Sequence, residues 1–514
     1  MVDLKNFRLP DQWRSILSLD EQLTVFSAFR FGLKLVIGQY ILTLLYKTVR
    51  GLLSPLSSIP GPWINKISDW PFFNSVMKGK CHYYMDNLHD TYGPVVRLAP
   101  DTIAVADPAE VRRIIVTEDL PKDTRYYSNF RRDETRPTLV SFTNKKDYQA
   151  RKRLIASMFG IRSIRGLQPV MRSCIDTMME KLGQEYKITG GQKDGAVVDI
   201  YHFIHATAVD IIGETVFGQS FNLLEVGSHP LPEHIAIGLT ITGILQFAPI
   251  IRMIVRLPFF PKREPYIDGF TREIIEKRRA VLHTNPRNDL LQKLVSCVDD
   301  SPNSLFNTED LQDEVVVFLL AGSETTANTE VFLLLLLAHH PDKLKKLQAE
   351  IDRLYPDPAK QADTDDHIHM HYLQACINET MRLYPAMATG SPRSSTQATT
   401  ILGHKIPAGT TIFSTSASVQ KDPMYWPQPE EFFPERWLED GKLEAHDLPF
   451  YPFSAGSRVC IGRHFATQEM HLTLVSLLRR FDIGLVEGQD ETTAFRVALH
   501  LKGQKYLVRI KERR

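Results

Sequence analysis

Cys460 is the residue with the clearest potential for chemistry, and it lies in a glycine-containing stretch, Phe453–Gly462. A thiolate is a soft, electron-rich ligand for transition metals, iron among them. Gly456 can turn the backbone tightly, and Gly462 lets the chain approach a flat group without a Cβ in the way. Arg458 offers a planar charged fork that suits a carboxylate. The stretch therefore predicts a metal-ligating cysteine beside a carboxylate-bearing group.

Two other interpretations of Cys460 are open on the residues alone. An isolated cysteine is more often a small, inert, buried apolar residue. A catalytic nucleophile is the competing chemical interpretation, although the stretch offers no base beyond His464. The five cysteines of the chain are scattered and odd in number, which predicts a reducing compartment and neither a disulfide framework nor a zinc cluster.

A second polar group lies in the middle of a long apolar helix, which the periodicity and an N-cap predict from Asn307 to His340. Ala321–Thr326 places a glycine, a carboxylate and threonines where a buried helix usually has Leu or Ala. A hydroxyl that bonds back to a carbonyl one turn earlier can loosen the helix and admit a ligand or water. The pattern therefore predicts a groove in the middle of the helix, beside Glu324 and Thr325. A kinked helix with one solvated glutamate is the alternative.

Glu379 and Arg382 are three residues apart on a helix predicted from about Tyr372 to a stop before Pro385. Residues at this spacing share a helix face and can form an ion pair. An exposed pair would contribute under about 1 kcal/mol, so the spacing alone predicts little. Further along the chain a Pro-Glu-Arg-Trp segment contains Arg436.

Taken together, these motifs resemble those of the cytochrome P-450 family. The stretch at 453–462 fits F-x-x-G-x-R-x-C-x-G at every fixed position, and A-G-x-E-T-T, E-x-x-R and P-E-R-W precede it in the family's order. The resemblance covers essentially everything after Pro60. It implies a mainly α (α+β) fold, with a large helical domain and small β-sheets, and haem b (iron protoporphyrin IX) as cofactor.

The resemblance also implies a role for each matching residue of the loop and the long helix. Cys460 is expected to be the axial ligand of the haem iron, a ligand that favours O–O cleavage. Thr325 and Glu324 are expected to lie over the open face of the haem, to hold dioxygen and to relay protons. The rest of the haem-binding loop is expected to contact the cofactor through Arg458, Phe453, Gly456 and Gly462.

Other matching positions imply supporting roles. Arg393, and Lys152 with Tyr148 one turn before it, are expected at the haem propionates, although the family more often has Arg in place of Lys152 and Trp or His in place of Tyr148. A buried structural lock beneath the haem loop, without a catalytic role, is expected from Glu379, Arg382 and Arg436.

The reaction implied by the resemblance is insertion of one oxygen atom of O2 into a lipophilic small molecule, with electrons from NADPH-cytochrome P-450 reductase. That flavoprotein would dock on the cationic side behind the haem, with Arg463 as a contact. The Arg-Leu-Tyr-Pro and Gly-Ser-Pro-Arg segments look most like fungal microsomal members that modify polyketides or terpenoids. Two alternatives remain: a haem-thiolate isomerase or dehydratase that does not use O2, and a haem-binding membrane protein without turnover.

The composition of the chain agrees with a single large catalytic domain. The hydrophobic content of 43% is ample for a sizeable core in 514 residues. With 61 basic and 60 acidic side chains the net charge is +1, so no overall field favours nucleic acid, and we expect no nucleic-acid partner. We expect a single catalytic domain over residues 63–514.

The first 53 residues are expected to form a membrane-anchor region. Phe26–Tyr46 is mostly apolar, but Arg30, Lys34 and Gln39 interrupt it, so either a spanning anchor or an interfacial helix is possible. Lys47 and Arg50, which follow, predict a cytosolic catalytic domain. The resemblance to microsomal members of the family implies a location at the endoplasmic reticulum membrane. Residues 54–62 are rich in proline and predict a stiff, non-helical hinge.

The remaining patterns predict elements around the site. Strands with a turn are expected over 95–105, helices over 144–159 and 197–218, and a hairpin over 401–414. The apolar segment 234–260 is either a core helix pair or a lid over an apolar pocket that touches the membrane. His367, His369 and His371 alternate like a metal-binding tract, but a polar loop is the simpler interpretation.

Overall fold

The computed structural model describes residues 48–131, 135–189, 195–226, 265–298, 306–357, 363–440 and 448–513, with scattered positions before and between these ranges. Most of the expected anchor at 26–46 and most of the expected lid at 234–260 lie outside the described residues. Within the described part of the chain, no helix combines the length and the apolar character that crossing a bilayer requires.

Helices dominate the described structure, in agreement with the predicted fold class. The α-helices in chain order are α1 Trp70–Met77, α2 Cys81–Tyr92, α3 Pro108–Arg112, α4 Thr124–Tyr127, α5 Lys145–Ile155, α6 Ile161–Arg165, α7 Gln168–Ile188, α8 Ile200–Ile212, α9 Leu223–Val226, α10 Pro265–Ala280, α11 Leu290–Ser296, α12 Thr308–His339, α13 Pro341–Leu354, α14 His371–Leu383, α15 Ser416–Val419 and α16 Arg463–Arg480. The predicted helix over 307–340 is confirmed. The one over 144–159 is an α-helix at Lys145–Ile155 that ends in a 3-10 turn at Ala156–Phe159.

The strands are short and form separate small sheets. They are β1 Val95–Ala99, β2 Thr102–Val105, β3 Ala196–Asp199, β4 Arg393–Ser394, β5 Thr399–Ile401, β6 His404–Ile406, β7 Thr411–Ser414, β8 Leu438–Glu439, β9 Lys442–Leu443, β10 Phe481–Leu485, β11 Thr493–Phe495, β12 Leu499–Leu501 and β13 Leu507–Glu512. The largest sheet has the order β1-β2-β7-β4, and a second has the order β10-β13-β3. β2 and β7 are parallel, with Thr102 opposite Thr411.

Helix α12 is the central element of the core. A reciprocal capping box between Asn307 and Asp310 starts it, and Pro341 after its last turn cannot continue it because proline has no N–H to donate. Its 32 residues span about 48 Å at about 1.5 Å per residue. Residues 326–338 are buried without interruption, so this part of the helix is surrounded by the core on all sides.

Three predicted elements differ from the structure. Residues 197–199 continue a strand, β3, that pairs with β13, and the helix starts only at Ile200. The hairpin is confined to β5 and β6, because β7 pairs with β2 and β4 instead. The 54–62 segment contains a 3-10 turn at Pro55–Ser58. Burial of Leu56 and Ile59, each 1% exposed, packs this segment into the core beside β1 and β2.

Candidate active site

The cysteine loop is held in one conformation by its own backbone. The Cys460 N–H donates to the Phe453 carbonyl at 2.8 Å, and a 3-10 turn at Gly456–Arg458 lies between them. Gly456 has φ +65°, and a Cβ there would collide with the backbone carbonyl of Ile115. A side chain is therefore excluded at this position for conformational and steric reasons.

The thiol of Cys460 lies directly before helix α16 and has accessible surface. Burial among the surrounding atoms nevertheless raises the pKa of the thiol. A hydrogen bond from the Gly462 backbone N–H and the charges of Lys152 and Lys122 lower the pKa, but they do not outweigh the burial. A bound metal ion would displace the thiol proton. The residue thus has accessible surface, while many protein atoms lie around the sulfur and groups beside it favour the anion. At Gly462 a Cβ would lie 3.8 Å from the sulfur, an ordinary contact, so the protein alone does not require glycine there.

Arg458 in the loop and Lys152 on α5 make hydrogen bonds that connect the loop with the segment around α5. The Arg458 guanidinium donates to the carbonyls of Phe142 and Thr143 at 2.9 and 3.2 Å and lies 3.9 Å from the centre of the Tyr148 ring. Lys152 Nζ donates to the carbonyl of Ser457 at 3.1 Å. Both cations therefore lie at the loop, as the resemblance implies, while part of their hydrogen-bonding capacity is used by the protein.

Arg393, at the start of β4, carries the clearest signature of a missing anion. The side chain is 0% exposed, and Nη1 donates to the Leu120 carbonyl at 2.6 Å. Nε and Nη2 are shielded and have no hydrogen-bond partner in the described part of the chain. Because an unpaired buried guanidinium N–H is costly, these donors fit a carboxylate that occupies the enclosed space, as a haem propionate would.

The sequence analysis missed two residues that belong to this cluster. Lys122 Nζ donates to the Val140 carbonyl at 2.6 Å, and burial, followed by the charges of Arg458 and Arg393, holds its pKa well below the usual range. The same lysine interacts electrostatically with Cys460. Its only sequence signal is a lone lysine after a proline, whereas a β-bridge between Lys122 and Arg393 places it at the site.

Asp119 is the second missed residue, and it ties three segments together. Its carboxylate accepts from Ser457 Oγ at 2.6 Å, pairs with Lys145 at 2.6 Å and lies 3.5 Å from Arg393 Nη1. Burial raises its pKa, but hydrogen bonds from Lys145 and Ser457 and the charge of Arg393 outweigh this and lower the pKa overall. Asp119 thus fixes the cysteine loop relative to Arg393.

The polar middle of α12 is not fully buried. Ala321 is exposed although it lies in the middle of the core helix. Thr325 Oγ1, one turn later, donates to the Ala321 carbonyl at 2.8 Å, which is the predicted back bond. The helix keeps its α conformation throughout, so the predicted loosening does not extend to a break. A Cβ at Gly322 would come within 2.6 Å of Ile212 Cδ1, so glycine lets α8 approach closely.

Glu324 lies beside Thr325 and faces α8. Its side chain is 22% exposed, and its Oε2 lies 3.9 Å from His205 Nδ1. The Asn328 amide donates to the Glu324 carbonyl at 2.7 Å and to Oε2 at 3.3 Å. The carboxylate is thus held from two sides while retaining accessible surface.

The structure brings Glu379, Arg382 and Arg436 together in the core. Arg382 donates to both carboxylate oxygens of Glu379 at 2.8 and 2.9 Å, and Arg436 Nε donates to Oε1 at 3.0 Å. The Trp437 indole and the Phe433 backbone N–H add bonds of 2.9 and 3.0 Å. Five hydrogen bonds thus reach the two carboxylate oxygens, so this buried group differs from an exposed ion pair.

Arg382 also connects this lock to the cysteine loop. Its Nη1 donates to the Gln420 carbonyl at 3.0 Å, and the Gln420 side-chain oxygen accepts from the Tyr451 backbone N–H at 3.1 Å. Tyr451 precedes the loop that begins at Phe453. The lock therefore positions the chain that enters the loop.

These features together fit a thiolate-ligated haem. Cys460 can supply the iron ligand, Arg393, Arg458, Lys152 and Lys122 can supply cations for the propionates, and the accessible face of α12 can border the opposite side. A bound thiolate haem supplies O2-activating redox chemistry. Among the described residues no group of His, Cys, Asp and Glu could hold a separate metal ion. The side chain of His367, in the expected histidine tract, lies outside the described residues.

Comparison with known proteins agrees with this geometry. The family model "Cytochrome P450" matches residues 60–508. The chain is 48% identical to cytochrome P450 monooxygenase LUC2 from Fusarium sp, over 98% of each chain. It is 50% identical to cytochrome P450 monooxygenase acrD from Aspergillus aculeatus, over 93% of this chain and 95% of the relative.

A solved structure shares the fold. The heme domain of cytochrome P450DA superposes with a TM-score of 0.74 at 21% identity, over 86% of this chain and 95% of that one. At this identity the likeness concerns the fold alone. With the family match over most of the chain and two full-length monooxygenase relatives, the chain belongs to the cytochrome P450 family of haem-dependent monooxygenases.

Proposed function

We propose that the protein uses haem b, ligated by Cys460, to insert one oxygen atom of O2 into a lipophilic small molecule. The observation that carries the proposal is the cluster of Arg393, Arg458 and Lys122 around the accessible sulfur. The N–H donors of the buried Arg393 side chain that lack a partner among the described residues are costly without a bound anion, and a haem offers two carboxylates and an iron to the same region. The protein groups thereby match the cofactor in charge as well as in ligand type.

The test is the spectrum of the purified protein, followed by turnover. Reduced, carbon monoxide-treated protein is expected to show the red-shifted Soret band of an anionic sulfur ligand. Product formation is expected to require both O2 and NADPH with a reductase. Turnover that proceeds without O2 would instead support the isomerase or dehydratase alternative, and a haem spectrum without any turnover would support a binding protein.

The substrate class we propose is a polyketide or terpenoid of fungal secondary metabolism. The relatives from Fusarium and Aspergillus support a fungal context. Screening lipophilic extracts for a spin-state change in the haem spectrum tests this class. A response only to polar extracts would contradict it.

Thr325 and Glu324 are proposed to hold the dioxygen site and to deliver protons to it. The Thr325 hydroxyl is anchored to Ala321 and borders the open face of the helix. Thr325→Ala is expected to lower product formed per NADPH several-fold and to raise peroxide release. Thr329→Ala removes a comparable back bond, to the Thr325 carbonyl at 2.9 Å, at a buried position and serves as control. Equal coupling in both variants would refute the assignment.

NADPH-cytochrome P-450 reductase is proposed as the electron donor, docking beside the cysteine loop. Lys146 and Arg153 of α5 and Arg463 of α16 are exposed there, which supports an acidic partner surface. Arg463→Glu is expected to slow reduction by the reductase and to weaken its dependence on salt. Lys405→Glu, at an exposed position on β6, is the matched control. A similar rate in both variants would place the docking surface elsewhere.

We further propose an endoplasmic reticulum membrane location with a cytosolic catalytic domain. Several large apolar side chains near the start of the domain are strongly exposed, including Leu53 at 80%, Trp63 at 72% and Trp70 at 64%. Tryptophan suits a membrane interface. The double variant Trp63→Ser and Trp70→Ser is expected to reduce co-flotation with phospholipid vesicles. Met424→Ser, at a position that is 82% exposed, is the control.

A further inference from the structure

His205 on α8 is a partly buried histidine that faces the polar middle of α12. Its Nδ1 lies 3.9 Å from Glu324 Oε2, and its side chain is 14% exposed. The Tyr201 ring stacks on the imidazole, with 4.0 Å between ring centres and 16° between planes. The stacking fixes the plane of the imidazole, so the ring presents one edge to the carboxylate.

The second ring nitrogen makes no hydrogen bond to a described residue within the usual geometric limits, although the Asn328 side chain interacts with the ring. His205 Nε2 is shielded and has no hydrogen bond in the described part of the chain. A buried polar atom of this kind usually binds an ordered water. The imidazole would then connect a water at Nε2 with the carboxylate at Nδ1.

We propose that His205 is a positioning residue that passes protons between water and Glu324. The imidazole accepts a proton at Nε2 from hydronium, which is left as water. It then releases the Nδ1 proton to the Glu324 carboxylate after a small side-chain rotation closes the 3.9 Å gap. One proton moves inward, the carboxylate becomes a carboxylic acid, and the neutral ring returns to its first tautomer by exchange with water.

The groups around His205 keep it close to the neutral form that such a relay needs. Burial is the largest effect and lowers the pKa of His205, and the charge of His500 on β12 lowers it further. The Glu324 charge, a hydrogen bond with the Asn328 side chain and the Asp199 charge act in the opposite direction and raise the pKa. Tyr201 is the titratable group that stacks on it from its own helix. A mostly neutral imidazole can both accept and release a proton near neutral pH.

The inference rests on the proposed role of Glu324 as proton donor. His205→Gln keeps a polar side chain of similar size but cannot titrate. We expect product formed per NADPH to fall several-fold, with a larger loss at high pH and an altered solvent deuterium isotope effect. His202→Gln, at an exposed position on the same helix, is the control and is expected to match the unaltered protein. An unchanged pH profile and isotope effect in His205→Gln would overturn the relay.

A second measurement does not depend on turnover. Histidine-labelled protein in the reduced, carbon monoxide-bound state allows the pKa of His205 to be followed by NMR. Because the Glu324 charge raises this pKa, Glu324→Gln is expected to lower it, and an unchanged value would overturn the pairing. If Glu324→Gln impairs coupling but His205→Gln does not, only the relay fails. If Glu324→Gln itself leaves coupling unchanged, the role of Glu324 fails as well.

Discussion

The lock beneath the cysteine loop offers the sharpest test of the structural argument. Glu379 is 0% exposed and accepts hydrogen bonds from Arg382 Nε and Nη2, Arg436 Nε, Trp437 Nε1 and the Phe433 backbone N–H. Glu379→Gln preserves the shape of the side chain. It removes the charge and replaces one acceptor oxygen by an N–H2 group that faces other donors. Two arginines are then left without a counter-charge in the core.

Removal of one member of a buried ion pair costs about 3–5 kcal/mol, because the remaining charge stays desolvated. Individual charge-assisted bonds contribute about 1.5–3 kcal/mol, but bonds in one network do not add. We therefore expect a loss of about 4 kcal/mol in the free energy of unfolding. With a urea m-value of about 4 kcal/mol per M for a large chain, the unfolding midpoint falls by about 1 M.

Urea unfolding followed by tryptophan fluorescence is a suitable assay, since Trp437 is part of the lock. The Soret band with carbon monoxide reports haem retention in the same titration. Glu435→Gln is the matched control, because Glu435 is 23% exposed and pairs with Lys343 and Lys346 near the surface. Such pairs contribute under about 1 kcal/mol. Equal midpoints for the two variants would refute the claim that the lock stabilises the loop.

Three further predictions concern the loop and the core. Cys460→Ser is expected to fold with native circular dichroism but to lose the red-shifted Soret band, and retention of the band would contradict the ligand assignment. Gly456→Ala is expected to lower haem occupancy, measured by pyridine hemochromogen assay, because the position has φ +65° and a backbone carbonyl against it. Gly488→Ala, at φ +80° in open space, is its control and should retain occupancy. The buried carboxyls of Glu330 and Glu469 both have pKa values raised by burial, and for Glu469 also by the charge of Glu330. Because the folded state then binds more protons than the unfolded state, stability is present at low pH and is lost as pH rises through the raised pKa values. Urea midpoints at pH 6 and pH 9 should therefore differ less in Glu469→Gln, and an unchanged difference would contradict the pairing.

The sequence by itself determined the features that depend on local pattern. The capping residues and periodicity of α12 set its bounds to within a residue, because Asn307 satisfies the first backbone N–H groups and Pro341 prevents continuation. The cysteine loop was identified because its residue types occur at fixed spacing within one short stretch. The family, the cofactor class and the reaction class followed from the same motifs.

Only the tertiary structure decided which distant residues complete the site. Lys122 and Asp119 reach it through contacts with Arg393 and Ser457, which are far away in sequence. His205 faces Glu324 because α8 packs against α12 at Gly322.

The pairing of strands was decided in the same way. β3 lies next to β13, and β7 next to β2, so the start of one predicted helix and the end of one predicted hairpin were wrong. Local propensity cannot specify such partners. A buried polar group or strand edge is satisfied by whichever segment the packed core brings beside it.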